Sequence, residues 1–146
     1  MKGLLHLTLG LLLLAASSSC KKESGPSELF GDWQWVSNTG GFTGKEVYTP
    51  ANSNLSRTLT FTRDSMFVQC DNGQCSAPAR FTSRTERSFF TGKPTLILTL
   101  HRRIYLARPD TGSVTIRSRY SINEISNKLR INQEVADGFE EVYTRK

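Results

Sequence analysis

From Leu29 onward, apolar residues recur at every second position, and turn-forming residues interrupt the pattern at short intervals. Val114, Ile116, Tyr120 and Ile122 alternate with Thr115, Arg117, Arg119, Ser121 and Asn123. Leu59 and Phe61 alternate with Thr58, Thr60 and Thr62, and Leu129 and Ile131 with Arg130 and Asn132. Phe139, Tyr143 and Arg145 share one parity, and Thr95 to Leu100 is a denser apolar run. Successive side chains of a strand point to opposite faces, so a period of two predicts strands with one face buried. Asn72-Gly73, Gly92-Lys93-Pro94, Pro109-Asp110-Thr111-Gly112, Ser126-Asn127 and Asp137-Gly138 fall between the runs as turns. No long helical periodicity competes. Many short strands with frequent turns in one domain predict an all-β antiparallel barrel or sandwich over residues 29–146. With 37% hydrophobic and 22% charged residues, the chain of 146 residues is neither disordered in composition nor a polytopic membrane protein.

The first 19 residues differ from the rest. Lys2 is followed by an apolar run from Leu4 to Ala16, then by Ser17-Ser18-Ser19 and Cys20. A basic start, a short apolar stretch and small residues describe a secretory signal, and the run is shorter than the roughly 20 residues that span a bilayer. A Cys directly after the small residues resembles the lipobox of bacterial lipoproteins, with Ser17 standing where that motif usually has an aliphatic residue. The resemblance implies cleavage before Cys20, acylation of Cys20 and anchoring in the cell envelope, at the outer membrane. Residues 20–28 then form the lipidated Cys and a polar tether, Lys21 to Ser27 carrying Gly25-Pro26. The alternative is a plain signal peptide that leaves Cys20 as a free thiol.

Cys70-Asp71-Asn72-Gly73-Gln74-Cys75 places two cysteines around an Asn-Gly step. Asn-Gly favours a two-residue type I′ hairpin, because both central residues need positive φ. Asp71 and Gln74 then form the pair next to the turn, and Cys70 faces Cys75 at a separation near the short end of what a disulfide tolerates. Free thiols and a redox pair are the competing readings.

Gly31-Asp32-Trp33 matches the G-x-W pattern that opens lipocalins and related small barrels, and Arg145 stands where that group packs an Arg over the Trp. Trp33-Gln34-Trp35-Val36, Gly40-Gly41-Phe42, Tyr48-Thr49-Pro50, Thr58 to Thr62 and Asp137-Gly138-Phe139 resemble the lipocalin-like domains of uncharacterised gram-negative lipoproteins. The resemblance implies an up-and-down barrel of about eight strands. It casts Trp33 and Arg145 as barrel closure, and it makes Trp35, Phe42, Tyr48, Phe61 and Tyr120 candidates for a ligand-lined interior. Ser37 to Leu55 is long for a hairpin connection. It reads either as a lid turning Phe42, Val47 and Tyr48 inward or as a surface loop.

Catalytic and metal-ligating patterns are missing from the sequence. His101 is the one histidine after the signal, and Glu140-Glu141 point to opposite faces of a strand. Gly40-Gly41-x-x-Gly44 lacks the strand–helix context of a phosphate loop. No cofactor and no enzyme activity are expected. The net charge of +6 draws on arginines including Arg102, Arg103, Arg117, Arg119 and Arg130, read as a solvated or anion-attracting face. Aromatics are not interleaved with them as nucleic-acid binding requires. Two functions remain: a membrane-anchored barrel binding a small apolar or amphipathic ligand, or a filled barrel that docks an envelope protein or an anionic glycan.

Overall fold

The computed structural model describes residues 26–105 and 113–146. The expected signal, Cys20, most of the tether and the Pro109 to Gly112 turn lie outside the described residues. Among the described residues, ten strands follow a one-turn 3-10 helix at Ser27–Leu29: β1 (Gly31–Gly40), β2 (Glu46–Tyr48), β3 (Arg57–Phe61), β4 (Met66–Asp71), β5 (Gln74–Cys75), β6 (Ala79–Arg87), β7 (Pro94–Tyr105), β8 (Ser113–Ile125), β9 (Lys128–Gln133) and β10 (Phe139–Arg145). Eight of them form a closed antiparallel barrel in the order β1-β3-β4-β6-β7-β8-β9-β10, and β10 returns to pair with β1. The short strands β2 and β5 add to β1 and β4 outside this path.

Closure follows from the register. β1 pairs with β3 from Gly31↔Phe61 to Gln34↔Thr58, and with β10 from Trp33↔Arg145 to Gly40↔Phe139. One extra residue on β1 between Trp35 and Ser37 bends the strand so that it serves both neighbours. Inward positions at the Gly31 end carry Trp33, Phe61, Phe67, Phe81, Leu98 and Leu129, all essentially without exposure. Phe81 meets Phe61 edge-on with centroids 5.2 Å apart, and Phe67 lies 6.1 Å from Phe61. Such pairs add to area burial because ring edges and faces carry opposite partial charge.

The turn Ser27–Leu29 plugs this end. Leu29 is fully buried, and its carbonyl accepts the Trp33 Nε1–H at 2.8 Å. The Arg145 guanidinium lies 4.3 Å from the centre of the Trp33 ring and donates to the Phe30 and Glu28 carbonyls at 3.0 and 2.5 Å. Ser27 and Glu28, expected in the tether, form part of the turn that Arg145 fastens to the barrel.

The expected hairpin stands as read. Asn72 and Gly73 have φ of 49° and 81°, Asp71 pairs with Gln74, and a disulfide joins Cys70 to Cys75 with Cα atoms 3.9 Å apart. The loop it closes is short, so the entropic contribution is about 2 kcal/mol. Reduction is expected to lower the unfolding free energy by that amount, read from the denaturant midpoint, without unfolding the protein. Peptide mapping without reductant should recover Cys70 and Cys75 in one linked fragment; free alkylation of both contradicts the bridge.

Two expectations change. Val114 and Ile116 share the inward parity of Tyr120 and Ile122 but are about half exposed, at 48% and 45%. The reason is geometric: β7 and β8 pair as far as Tyr105↔Ser113, whereas β6 accompanies β7 only to His101 and β9 accompanies β8 only from Tyr120. The two strands project past the barrel as a ribbon. The long connection after β1 also becomes structured, since β2 pairs with Asn38 to Gly40 and a helical turn at Pro50–Ser53 follows. Asn52 caps that turn by accepting the Thr49 N–H at 2.7 Å.

Candidate functional site

The interior divides into a filled half around Trp33 and a half toward the far end that keeps a cavity of about 200 Å³. Its lining is charged and polar. Arg57, Gln69 and Arg102 come from β3, β4 and β7, while Gln133, Glu141 and Tyr143 come from β9 and β10. Tyr120 joins them from β8, and Leu59, Leu100 and Ile131 supply apolar wall.

Strand alternation puts each polar group there. Arg57 precedes Leu59 and Phe61 on the inward face of β3, Gln69 follows Phe67, and Arg102 follows Leu98 and Leu100. Only two residue pairs, Met66↔Arg80 and Phe67↔Ala79, join β4 to β6. Beyond them the wall is bridged by side chains: Arg102 donates through Nη2 to Gln69 Oε1 and packs over the Phe67 ring at 5.5 Å.

Two networks order the cavity. Arg57 makes a bidentate ion pair with Asp71, Nε to Oδ1 at 2.8 Å and Nη2 to Oδ2 at 2.9 Å, and Gln69 Nε2 donates to the same Oδ2 at 2.9 Å. The Arg57 hydrogen bonds hold the Asp71 carboxyl below its ordinary value, against the opposing effect of burial. On the other wall Glu141, only 4% exposed, accepts the Tyr143 hydroxyl at 2.6 Å and Gln133 Nε2 at 2.9 Å. Burying a carboxylate is tolerable because both oxygens are paired. Burial, reinforced by the Glu141 charge, pushes the Tyr143 phenol well above its ordinary range and Tyr120 up to about 12. Both phenols are therefore neutral hydrogen-bond donors at neutral pH.

The Asp71–Arg57 pair predicts a pH dependence. A carboxyl with a folded pKa below its ordinary 3.8 contributes stability that is fully present above that value. The contribution is lost as pH falls from there through the lowered folded value. Asp71→Asn is expected to flatten the acid limb of the melting temperature as pH falls below about 4, followed by circular dichroism, while lowering the midpoint at pH 7. An unchanged acid limb contradicts this assignment.

Of the five residues read as ligand-lining, Tyr120 lines the cavity. Phe61 and Trp35 are buried in the packing around it, with Trp35 Nε1 donating to Asn38 Oδ1 at 2.6 Å. Phe42 is 85% exposed at the β1–β2 turn, and Tyr48 packs on Phe139 with centroids 5.8 Å apart. Neither reaches the cavity, because β2 adds to the outside of β1 instead of folding across the barrel mouth. Arg57, Gln69, Arg102, Gln133, Glu141 and Tyr143 escaped the sequence reading. The signal was present: each is a charged or amide-bearing residue, or a tyrosine, on the parity its strand otherwise gives to apolar side chains.

His101 lies outside, opposite Arg117, where partial burial first and the Arg117 charge second hold its imidazole below the ordinary value. Among the described residues no cluster of His, Cys, Asp and Glu is arranged to hold a metal ion. Arg119 pairs with Glu86 at 2.8 Å, and Arg130 lies 3.8 Å from both Glu124 and Glu140, so part of the arginine face is internally paired. No protein-family profile, curated protein or solved structure matches the chain.

Proposed function

We propose that the chain is a lipid-anchored protein of the bacterial cell envelope whose lipocalin-like barrel binds a small amphipathic molecule and catalyses no reaction. The observation that carries this reading is a polar cavity lying below an apolar ribbon. A volume of about 200 Å³ is below the usual 300–1,000 Å³ of ligand pockets, so it takes only one end of a molecule. Its polar lining suits a headgroup. Ile116 stands opposite Arg102 in the β7–β8 ladder, and Val114 stands one step further out on the same face. Directly opposite residues of an antiparallel pair share a face, so these half-exposed side chains continue outward from the cavity as a track for a tail.

Mass spectrometry of the full-length protein extracted from membranes is expected to find a co-purifying amphiphile that is lost in Ile116→Asp. If nothing co-purifies and no thermal shift appears across a lipid panel, the reading fails. Palmitate labelling tests the anchor separately, being expected in the wild type and absent from Cys20→Ser.

One observation favours docking of an envelope protein as a second reading. Phe89 and Phe90, at 67% and 52% exposure, stand edge to face at the β6–β7 turn. The Glu134 carboxylate holds that turn by accepting the Ser88 hydroxyl at 2.9 Å and the Phe89 N–H at 2.5 Å. Paired exposed aromatics on a braced turn suit a protein contact better than a solvated loop.

A further inference from the structure

We propose that the headgroup is a carboxylate and that Arg102 receives it. The inference rests on the reading that the barrel binds an amphipathic molecule. An arginine on the inward face of a barrel gives up part of its hydration, which a paired anion normally restores. Arg57 has that anion in Asp71. Arg102 does not: among the described residues no carboxylate lies within ion-pairing distance of it. Its protein contacts are one amide oxygen, Gln69 Oε1, and the face of Phe67. A guanidinium carries five N–H donors in a planar fork, so donors remain for a ligand.

The fork is oriented in advance. Asp71, already clamped by Arg57, takes the Gln69 Nε2 hydrogen, and this turns the Gln69 carbonyl oxygen toward Arg102. The Phe67 ring lies under the guanidinium, 5.5 Å from its central carbon. A group held this way loses little freedom on binding, and the planar fork matches a carboxylate in bidentate fashion.

Glu141 decides between carboxylate and phosphate. Its buried charge lines the same cavity and is satisfied by Tyr143 and Gln133, not by Arg102. One negative charge on the ligand is neutralised by Arg102, whereas a second would meet the field of Glu141 without a cation to spare. Tyr120, kept neutral by burial, lines the same chamber as a further donor. The ligand class is a monocarboxylate with a short aliphatic chain directed along Ile116 and Val114.

Isothermal titration of the full-length protein in a non-ionic detergent with octanoate, 1-octanol and octyl phosphate tests this. Octanoate is expected to bind the wild type at least about tenfold more tightly than 1-octanol, the effect of one charge-assisted hydrogen-bonded contact. Arg102→Gln should remove that advantage and leave 1-octanol unchanged, while Arg103→Gln, on the outward face, should change neither. Arg102→Lys, which keeps the charge and loses the fork, should retain part of the preference. Equal binding of octanoate and 1-octanol by the wild type overturns the carboxylate assignment and leaves the barrel a ligand binder, a comparison that needs no variant to fold. Octyl phosphate binding more tightly than octanoate overturns it in favour of phosphate. Binding of none of the three overturns the ligand-binding reading and this inference together.

Discussion

Trp33→Ala is expected to lower the unfolding free energy by about 3–5 kcal/mol, a large fraction of the roughly 5–15 kcal/mol that holds a domain folded. Trp33 is fully buried, and three separate elements converge on it. Its indole N–H satisfies the Leu29 carbonyl of the plug, its face carries Arg145 from β10, and its strand pairs with β3 through Leu59. Truncation removes ring area, opens a cavity among aromatic neighbours that cannot collapse into it, and leaves a buried carbonyl without a donor. Arg145 also loses the ring it packs on, so Trp33→Ala combined with Arg145→Ala should cost less than the sum of the two. Urea unfolding followed through Trp35 fluorescence measures both. A loss below about 1 kcal/mol would show that the plug does not depend on Trp33.

Gly40→Val is the second large effect, expected at about 2–5 kcal/mol from backbone strain and overpacking together. Gly40 has φ of +141°, and a Cβ there would stand 2.5 Å from the Gly138 carbonyl oxygen and 3.1 Å from the Phe139 Cα. Both obstacles are backbone, and both belong to the seam where β1 and β10 close the barrel. Gly73→Ala is the contrasting change. Its φ is +81° and nothing lies within 4 Å of the added Cβ, so only the conformational cost of about 1 kcal/mol applies. Melting temperatures of the two variants should separate clearly, and equal shifts would refute the seam argument.

The alternation of apolar residues was enough to read strand identity, since parity depends only on local geometry. The Asn72-Gly73 hairpin and its disulfide were legible for the same reason, being specified by adjacent residues. Closure was legible only through resemblance, because Trp33 and Arg145 meet across nearly the whole chain and no local rule brings them together. The cavity was not legible because apolar alternation marks only apolar inward positions, and its lining is largely polar. Arg57, Arg102 and Glu141 occupy inward positions, yet their acceptability depends on partners such as Asp71 and Tyr143 that only tertiary structure supplies. Val114 and Ile116 misled in the opposite direction: their parity is inward, but how far neighbouring strands extend is not encoded in parity. Of the two readings of the Ser37 to Leu55 connection, the lid fails because β2 pairs along β1, which leaves Phe42 exposed at the turn and Tyr48 against Phe139.

The ribbon formed by β7 and β8 also has an aggregation consequence. Beyond His101 on one side and before Arg119 on the other, no neighbouring strand among the described residues pairs with the outer edges. Free edges of this kind invite pairing with another molecule, and proteins commonly block them with charge. Arg103 and Arg117 lie along these stretches, among side chains that would be brought close if two copies met edge to edge. Arginines at these edges would repel one another in such an encounter, which disfavours self-association through the ribbons.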